Sequence, residues 1–269
     1  MQSKETKELI SGEHSPLVSI ITPLYNAESF IAETIQSILD QTYTNWEQII
    51  VDDASSDRSL EVAESFAAKD GRIRIESLIE NRGAAFCRNR ATELANGDFI
   101  AFLDSDDLWH PEKLERQLAF MKANDCDVCY TSYLHIDEHG ESLGKRIVAM
   151  PELSYEKQHR NNYIGNLTGL YSVVALGKVP SPSIRKRQDW AVWLEAIKRS
   201  GKPAKGLQED LAFYRVRESS ISSDKKKLVK YNYRFYKEHL GYSSLKSAWH
   251  LLMFFVEYFF VRPKYIRKL

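Results

Sequence analysis

None of the 12 glycines forms a Gly-x-Gly pair. The glycine-rich corner that lets a backbone approach a dinucleotide pyrophosphate is therefore missing. There is no Gly-Lys-Ser/Thr tripeptide, which removes the P-loop, and no His-Glu-x-x-His zinc motif. Cysteine is scarce: Cys87, Cys126 and Cys129 make an odd, small set that argues against a disulfide framework and suits a reducing compartment. Charge of one sign is also lacking. Lys plus Arg equals Asp plus Glu at 37 each, so no nucleic-acid partner is expected. The longest apolar run, Ala248 to Val261, is interrupted by His250 and Glu257 and is shorter than the roughly 20 residues that span a bilayer. The first 16 residues are polar and lack an apolar core, so they read as a flexible leader without a secretion signal. The expected location is cytoplasmic, free or peripheral on the inner face of the cell membrane.

From residue 17 a rhythm begins. Val18–Pro23 is a short apolar run that reads as a buried strand, and Ala27–Leu39 follows with an apolar helical stripe. Trp46–Val51, Ile73–Leu78, Phe99–Leu103 and Val128–Ile136 read as further strands. Between them lie helical stretches: one to about Ala68, capped by Ser55 or Ser56, then Gly83–Leu94, then one that starts at Pro111 and reaches Lys122. Strand alternating with helix over short links implies a Rossmann-like, mainly parallel sheet flanked by helices. Ligands bind such sheets at the carboxyl ends of the strands. Pro23 and Tyr25 follow the first strand, Asp52 and Asp53 end the second, and Asp104 to Asp107 follow the fourth. Three separate stretches thus send polar groups to one edge. The second half is less regular: Met150–Lys178 is loop-rich, Asp189–Lys198 reads as a helix, and Leu211–Val216 as a strand.

An acidic edge on such a sheet suits a hard divalent cation. Asp104 and Asp106, one residue apart, can hold Mg2+ or Mn2+, which takes oxygen ligands and commonly completes its shell with substrate phosphates. The alternative is a polar turn that caps the next helix. Asp53 can accept hydrogen bonds from a base or ribose, or can simply start a helix; Tyr25 can lie on a base ring, or sit as a core-edge aromatic.

VSIITPLYN (Val18 to Asn26), Gln41-Thr42-Tyr43, IIVDDASSD (Ile49 to Asp57), NRGAAFCRNRA (Asn81 to Ala91) and GDFIAFLDSDD (Gly97 to Asp107) resemble, in order and spacing, the inverting family 2 glycosyltransferases. RKRQDWAVWL (Arg185 to Leu194) and YRVRESSIS (Tyr214 to Ser222) extend the resemblance more loosely, toward bacterial teichuronic-acid-type and other cell-surface polysaccharide transferases. The resemblance implies the GT-A fold, with a nucleotide-binding half over about 17–135, an acceptor half over about 136–222, and a C-terminal helical segment over 223–269. It also implies a UDP-sugar donor and a glycan acceptor, often lipid-linked. Pro23, Tyr25 and Asp53 would hold the nucleoside, Arg88 the nucleotide pocket or diphosphate, and Asp104 with Ser105 the ribose side. Asp106 would ligate the metal. Asp189 matches the catalytic base, with helix capping as its alternative and Glu209 and Asp210 as substitutes. Related sequences often carry His where this chain has Arg217. A cation there can contact the diphosphate, and the case for a metal ligand from that segment is correspondingly weaker.

The Cys126-x-x-Cys129 spacing reads as buried thiols. Trp249, Leu252, Met253, Val256, Phe259 and Phe260 share a helical face near Lys246, Arg262, Lys264, Arg267 and Lys268, which suits contact of 246–269 with an anionic membrane surface. Packing on the catalytic domain, or on a second copy in a homo-oligomer, is the alternative. Two rival functions remain at this point. One is a non-catalytic protein of the same fold that binds UDP-sugar or scaffolds a membrane assembly. The other is a nucleotidyltransferase, which would need a glycine-rich basic loop where Thr22–Glu28 stands.

Overall fold

The computed structural model describes residues 15–184, 186–217 and 225–269. Residues 1–14 of the expected leader, Arg185, and residues 218–222 of the last motif lie outside the described residues. In chain order the elements are β1 (Val18–Leu24), α1 (Ile31–Leu39), β2 (Trp46–Asp52), α2 (Ser59–Ala67), β3 (Ile73–Ser77), α3 (Ala84–Leu94), β4 (Phe99–Phe102), β5 (Leu108–Trp109), α4 (Lys113–Asn124) and β6 (Val128–Ile136). Then come β7 (Ser142–Ile147), β8 (Glu152–Leu153), α5 (Tyr155–Arg160), β9 (Leu170–Ser172), α6 (Val173–Leu176), α7 (Gln188–Ser200), β10 (Ala204–Arg215), α8 (Lys225–Arg234), α9 (Ser244–Val256) and β11 (Ile266–Lys268).

All described strands join one sheet, with main order β11-β7-β6-β9-β4-β1-β2-β3. β1 lies between β2 and β4 and is parallel to both, and β2 is parallel to β3. β1 is buried along its whole length, which is why it reads as a continuous apolar run rather than an alternating one. Its side chains alternate between two cores. Val18, Ile20 and Leu24 pack with α1, α2 and α4, whereas Ile21 packs with α3 and α7. The fully buried stripe Ile31, Ile35 and Ile38 fixes α1 to the first core; each such side chain contributes about 1.5–3 kcal/mol.

Several sequence expectations shift. α2 starts at Ser59, not after Ser55 or Ser56. Ser55 donates its hydroxyl to Asp52 at 2.5 Å, and the Ser59 N–H goes to Asp57. β10 begins at Ala204, well before Leu211, because it runs parallel to β6 along most of its length. A Cβ on Gly206 would lie 1.9 Å from the Met150 carbonyl oxygen, so only glycine lets β10 come this close. The sheet is less parallel than the alternation implied: β4–β9, β6–β9, β6–β7 and β7–β11 are antiparallel. The C-terminal segment is helical only to Tyr265; its last turns give way to β11, which pairs with β7. A third apolar cluster, containing Trp190, Leu194, Phe235, Tyr236 and Phe254, binds this segment to the outer side of α7. Cys126 and Cys129 are buried thiols, each pushed up to about 12 by burial.

Candidate functional site

The edge that carries the site is set by β1, β2 and β4 ending side by side. Asp53 follows β2 and is buried. Its backbone N–H donates to the Leu24 carbonyl, which ties the end of β1 to the end of β2. Its carboxylate accepts the Arg82 N–H at 2.6 Å and the Gly83 N–H at 2.9 Å. Gly83 has φ +85°, a conformation that favours glycine and aims both N–H groups at one carboxylate. Asp53 therefore gathers three loops, and its remaining lone pairs can still receive a donor. Tyr25 stands half exposed beside it in sequence, on the loop that leaves β1. Pro23 is buried inside β1, opposite Val51, so it shapes the edge without presenting a side chain to solvent.

Beyond β4 the chain turns through Asp104, Ser105, Asp106 and Asp107. Three arginines neutralise this acidic turn. Arg88, on α3, donates to Asp104 at 2.6 Å. Arg217, just after β10, pairs with Asp106 at 2.8 Å. Arg215 is wholly buried: it donates its backbone N–H to Asp107 at 2.9 Å and its Nε to the Asp106 carbonyl at 2.8 Å, and its other donors reach Glu33 and the Glu138 carbonyl. Even so, burial pushes the Asp106 carboxyl above its usual range, with Asp104 adding to the shift and Arg217 opposing it. Burial, reinforced by Asp106 and Asp104, raises Asp107 further. Ser105 is nearly buried in the turn. Burial thus disfavours the charged form of these carboxyls, and a cation held beside them would favour it.

Arg88 does more than hold Asp104. Its Nη1 donates to Gln188 at 3.0 Å, and Gln188 is the first residue of α7. Burial works against the Arg88 charge, but Asp104 and then Asp189 more than offset it and raise its pKa. Its Nε is buried with no partner among the described residues, which leaves one donor unspent. Asp189 sits in the first turn of α7, half-buried, and accepts the Asn162 side-chain amide at 2.7 Å. Asn166 reaches Asp104 at 3.4 Å. One guanidinium therefore links the turn after β4 to the start of α7, which brings positions 88, 104 and 189 into one network, and Arg217 joins that turn through Asp106; Asp53 stands at the neighbouring strand end with its own partners. Glu209 and Asp210 are not part of that network: they pair with Arg116 and Arg146.

Among the described residues no group of three or more His, Cys, Asp or Glu side chains is arranged to enclose a metal. What the protein offers a cation is Asp106, with Asp104 beside it. Such an ion-poor set of hard oxygen donors fits Mg2+ or Mn2+ whose remaining positions are filled by phosphate oxygens and water. Sequence reasoning missed Gln188, Asn162, Asn166 and Arg215. Gln188 and Arg215 lay inside the motifs already singled out, one position before Asp189 and two before Arg217, whereas Asn162 and Asn166 left no signal.

Comparison with known proteins follows the same lines. The family described as Glycosyl transferase family 2 matches residues 19–179. The putative teichuronic acid biosynthesis glycosyltransferase TuaG of Bacillus subtilis is 43% identical over 234 residues, covering 87% of this chain and 92% of TuaG. The Escherichia coli protein WfgD, a UDP-Glc:alpha-D-GlcNAc-diphosphoundecaprenol beta-1,3-glucosyltransferase, is 37% identical over 241 residues, covering 90% of this chain and 87% of WfgD. Among solved structures, S. aureus TarS 1–349 in complex with UDP-GlcNAc superimposes with a TM-score of 0.70 at 22% identity, over 92% of this chain and 74% of that one. The Pyrobaculum calidifontis mannosyltransferase PcManGT, solved with GDP-Man and Mn2+, gives a TM-score of 0.65 at 14% identity, over 95% of this chain and 81% of that one. These structures establish the architecture, a central mixed sheet flanked by helices of the GT-A type.

Proposed function

The chain belongs to glycosyl transferase family 2, and from that premise we propose that it moves one sugar, with inversion, from a UDP-sugar to a hydroxyl of a lipid-linked intermediate in bacterial surface-polysaccharide assembly. The observation that carries this reading is the double engagement of Arg88, with Asp104 on one side and Gln188, next to Asp189, on the other. This supports the reading because it joins the acidic turn after β4 to the helix start that carries the candidate base. The names of TuaG and WfgD support the glycan class, and WfgD's name supports a diphosphoundecaprenol-type acceptor.

In this reading Tyr25 lies on the uracil ring and Asp53 accepts from the base. Asp104 and Ser105 face the ribose, and Asp106 with Asp104 would hold Mg2+ or Mn2+. Bound there, the cation would screen the diphosphate and stabilise its departure. Arg217 leaves Asp106 for the diphosphate, and the unspent Arg88 donor turns to the same group. Asp189 takes the proton of the acceptor hydroxyl while that oxygen forms its bond to the anomeric carbon. The carbon–oxygen bond to the β-phosphate breaks on the opposite face, its electron pair leaves with UDP, and the anomeric configuration inverts. The Asn162 amide holds the Asp189 carboxylate in place for that step.

A panel of UDP-sugars with Mn2+ and a polyprenyl-diphosphate-linked acceptor, read by released UDP, tests the proposal. One donor should give acceptor-dependent release. Asp189→Asn should lower kcat by about 10²–10⁴-fold while UDP binding stays within about threefold. Transfer that persists in both Asp189→Asn and Asp106→Ala, or UDP binding without turnover on any donor, would overturn it.

A further inference from the structure

α9 and the turns that follow it have two apolar faces, and the fold uses one. Phe254 is buried against Trp190 of α7, with Leu251 and Phe255 packed beside it. The other face carries Leu245, Trp249, Leu252, Val256, Phe259 and Phe260, spaced by four, three, four, three and one residues along a helical stripe. These side chains stand in solvent: Leu245 is 84% exposed, Trp249 57%, Phe259 63% and Phe260 72%. Of the 13 large apolar side chains exposed among the described residues, eight belong to 245–269, so this is a patch and not ordinary scatter.

Charge selects the occupant. Residues 244–269 contain five basic side chains, Lys246, Arg262, Lys264, Arg267 and Lys268, and a single acidic one, Glu257. Glu257 is buried and already engaged by Lys157 and Tyr163. Within this segment the exposed side-chain charges are therefore cationic, Lys246, Lys264, Arg267 and Lys268, while Arg262 is turned inward to Asn161 and Asn162. A second copy laid segment to segment would set cation against cation with no exposed carboxylate side chain of the segment to pair them. An anionic lipid surface meets both features: its headgroups take the lysines and arginines, and its acyl boundary takes the aromatic and aliphatic side chains. No described helix is long and apolar enough to cross a membrane, so the contact is with the surface.

We propose that the stripe from Leu245 to Phe260, with the basic residues that flank it, docks the protein on an anionic lipid bilayer. The docking reaches the candidate base through a short path. Arg262, immediately beyond the stripe, donates to the Asn161 side chain at 2.6 Å and to the Asn162 carbonyl at 2.7 Å, and Asn162 holds Asp189. The element that meets the lipid thus also fixes the loop that orients the candidate base.

Vesicle sedimentation of the full chain, without donor or acceptor, tests docking separately from sugar transfer. The chain should cosediment with phosphatidylcholine vesicles containing phosphatidylglycerol, weaken as salt is raised, and bind far less to phosphatidylcholine alone. Phe259→Glu with Phe260→Glu should cut the partition at least about tenfold. Replacing Lys264, Arg267 and Lys268 by Gln should cut it by about fivefold for each charge removed. Far-UV circular dichroism and UDP binding confirm that each variant is folded, and the Gln series leaves the apolar stripe untouched if the Glu pair is not. Equal or absent binding to both vesicle types overturns the proposal. So does a dimer in light scattering that the Phe259→Glu, Phe260→Glu chain loses while vesicle binding is absent.

Discussion

Arg217→Ala removes the guanidinium that neutralises Asp106. The two groups are 2.8 Å apart, and their side chains are 33% and 18% exposed. Unit charges centred about 4 Å apart attract by about 4 kcal/mol at an effective dielectric constant of about 20. Dehydration of two partly covered ions offsets most of this and leaves a net of about 1–2 kcal/mol. A divalent cation that binds Asp106 in the absence of nucleotide has to displace that interaction. The Arg217→Ala protein is therefore expected to bind Mn2+ about 5–30-fold more tightly, the factor those energies convert to. Catalysis should move the other way. Arg217 released from Asp106 is the cation proposed to meet the departing diphosphate, and loss of one such donor costs about 10²-fold in kcat. Isothermal titration with Mn2+ reads the first effect and UDP release at saturating donor reads the second. Arg217→Lys, which keeps a charge but not the planar fork, should fall between. Weaker Mn2+ binding in Arg217→Ala, or a kcat within twofold of the parent, would refute the reasoning, because either result means that Arg217 does not exchange between Asp106 and phosphate.

Asn162→Ala removes the amide that fixes Asp189; kcat should fall by about 10–100-fold with little change in the KM for donor, and equal changes in both would point to a binding role instead. Gly169→Ala places a Cβ 2.1 Å from Trp193 in α7, an overpacking that should cost about 1–3 kcal/mol and lower Tm by about 3–10 °C in a thermal melt; an unchanged Tm would show that α7 gives way freely. Lys113 is wholly buried over the Trp109 ring, and burial lowers its pKa to about 7. The unfolded chain therefore binds the extra proton between about pH 7 and the ordinary lysine range, so this group makes stability rise as pH increases through that window. Urea unfolding at pH 7, 8 and 9 should show the rise, and Lys113→Met should flatten it; a parallel pH slope in the variant would rule Lys113 out as its source.

The parallel half of the sheet was legible because its physics is local. β1, β2 and β4 are short apolar runs broken by polar turns, and the acidic groups stand where those runs end. Placing Asp53 and Asp104 at one edge needs only the alternation of strand and helix. The helix start at Ser55 or Ser56 misread a local competition: both Asp52 and Asp57 lie within reach, and the nearby hydroxyls bond to them rather than to the helix end. β10 and β11 were harder because edge and mixed strands are defined by partners. β11 becomes a strand by pairing with β7, some 120 residues earlier in the chain.

What the sequence alone determined is the identity and order of the groups at the strand ends, together with the motif spacing that carries the family resemblance. Each of these is a property of a few consecutive residues. Only the tertiary structure decided what those groups touch. Arg88 meets Gln188 across 100 positions, Asn162 meets Asp189 across 27, and the Arg215 guanidinium meets the Asp106 carbonyl across 109. It also decided which apolar face of α9 is covered, because burial depends on where α7 lies and not on the periodicity of α9 itself. Hydrogen bonds and packing between distant segments form only when the chain closes on itself, so no window of neighbouring residues records them.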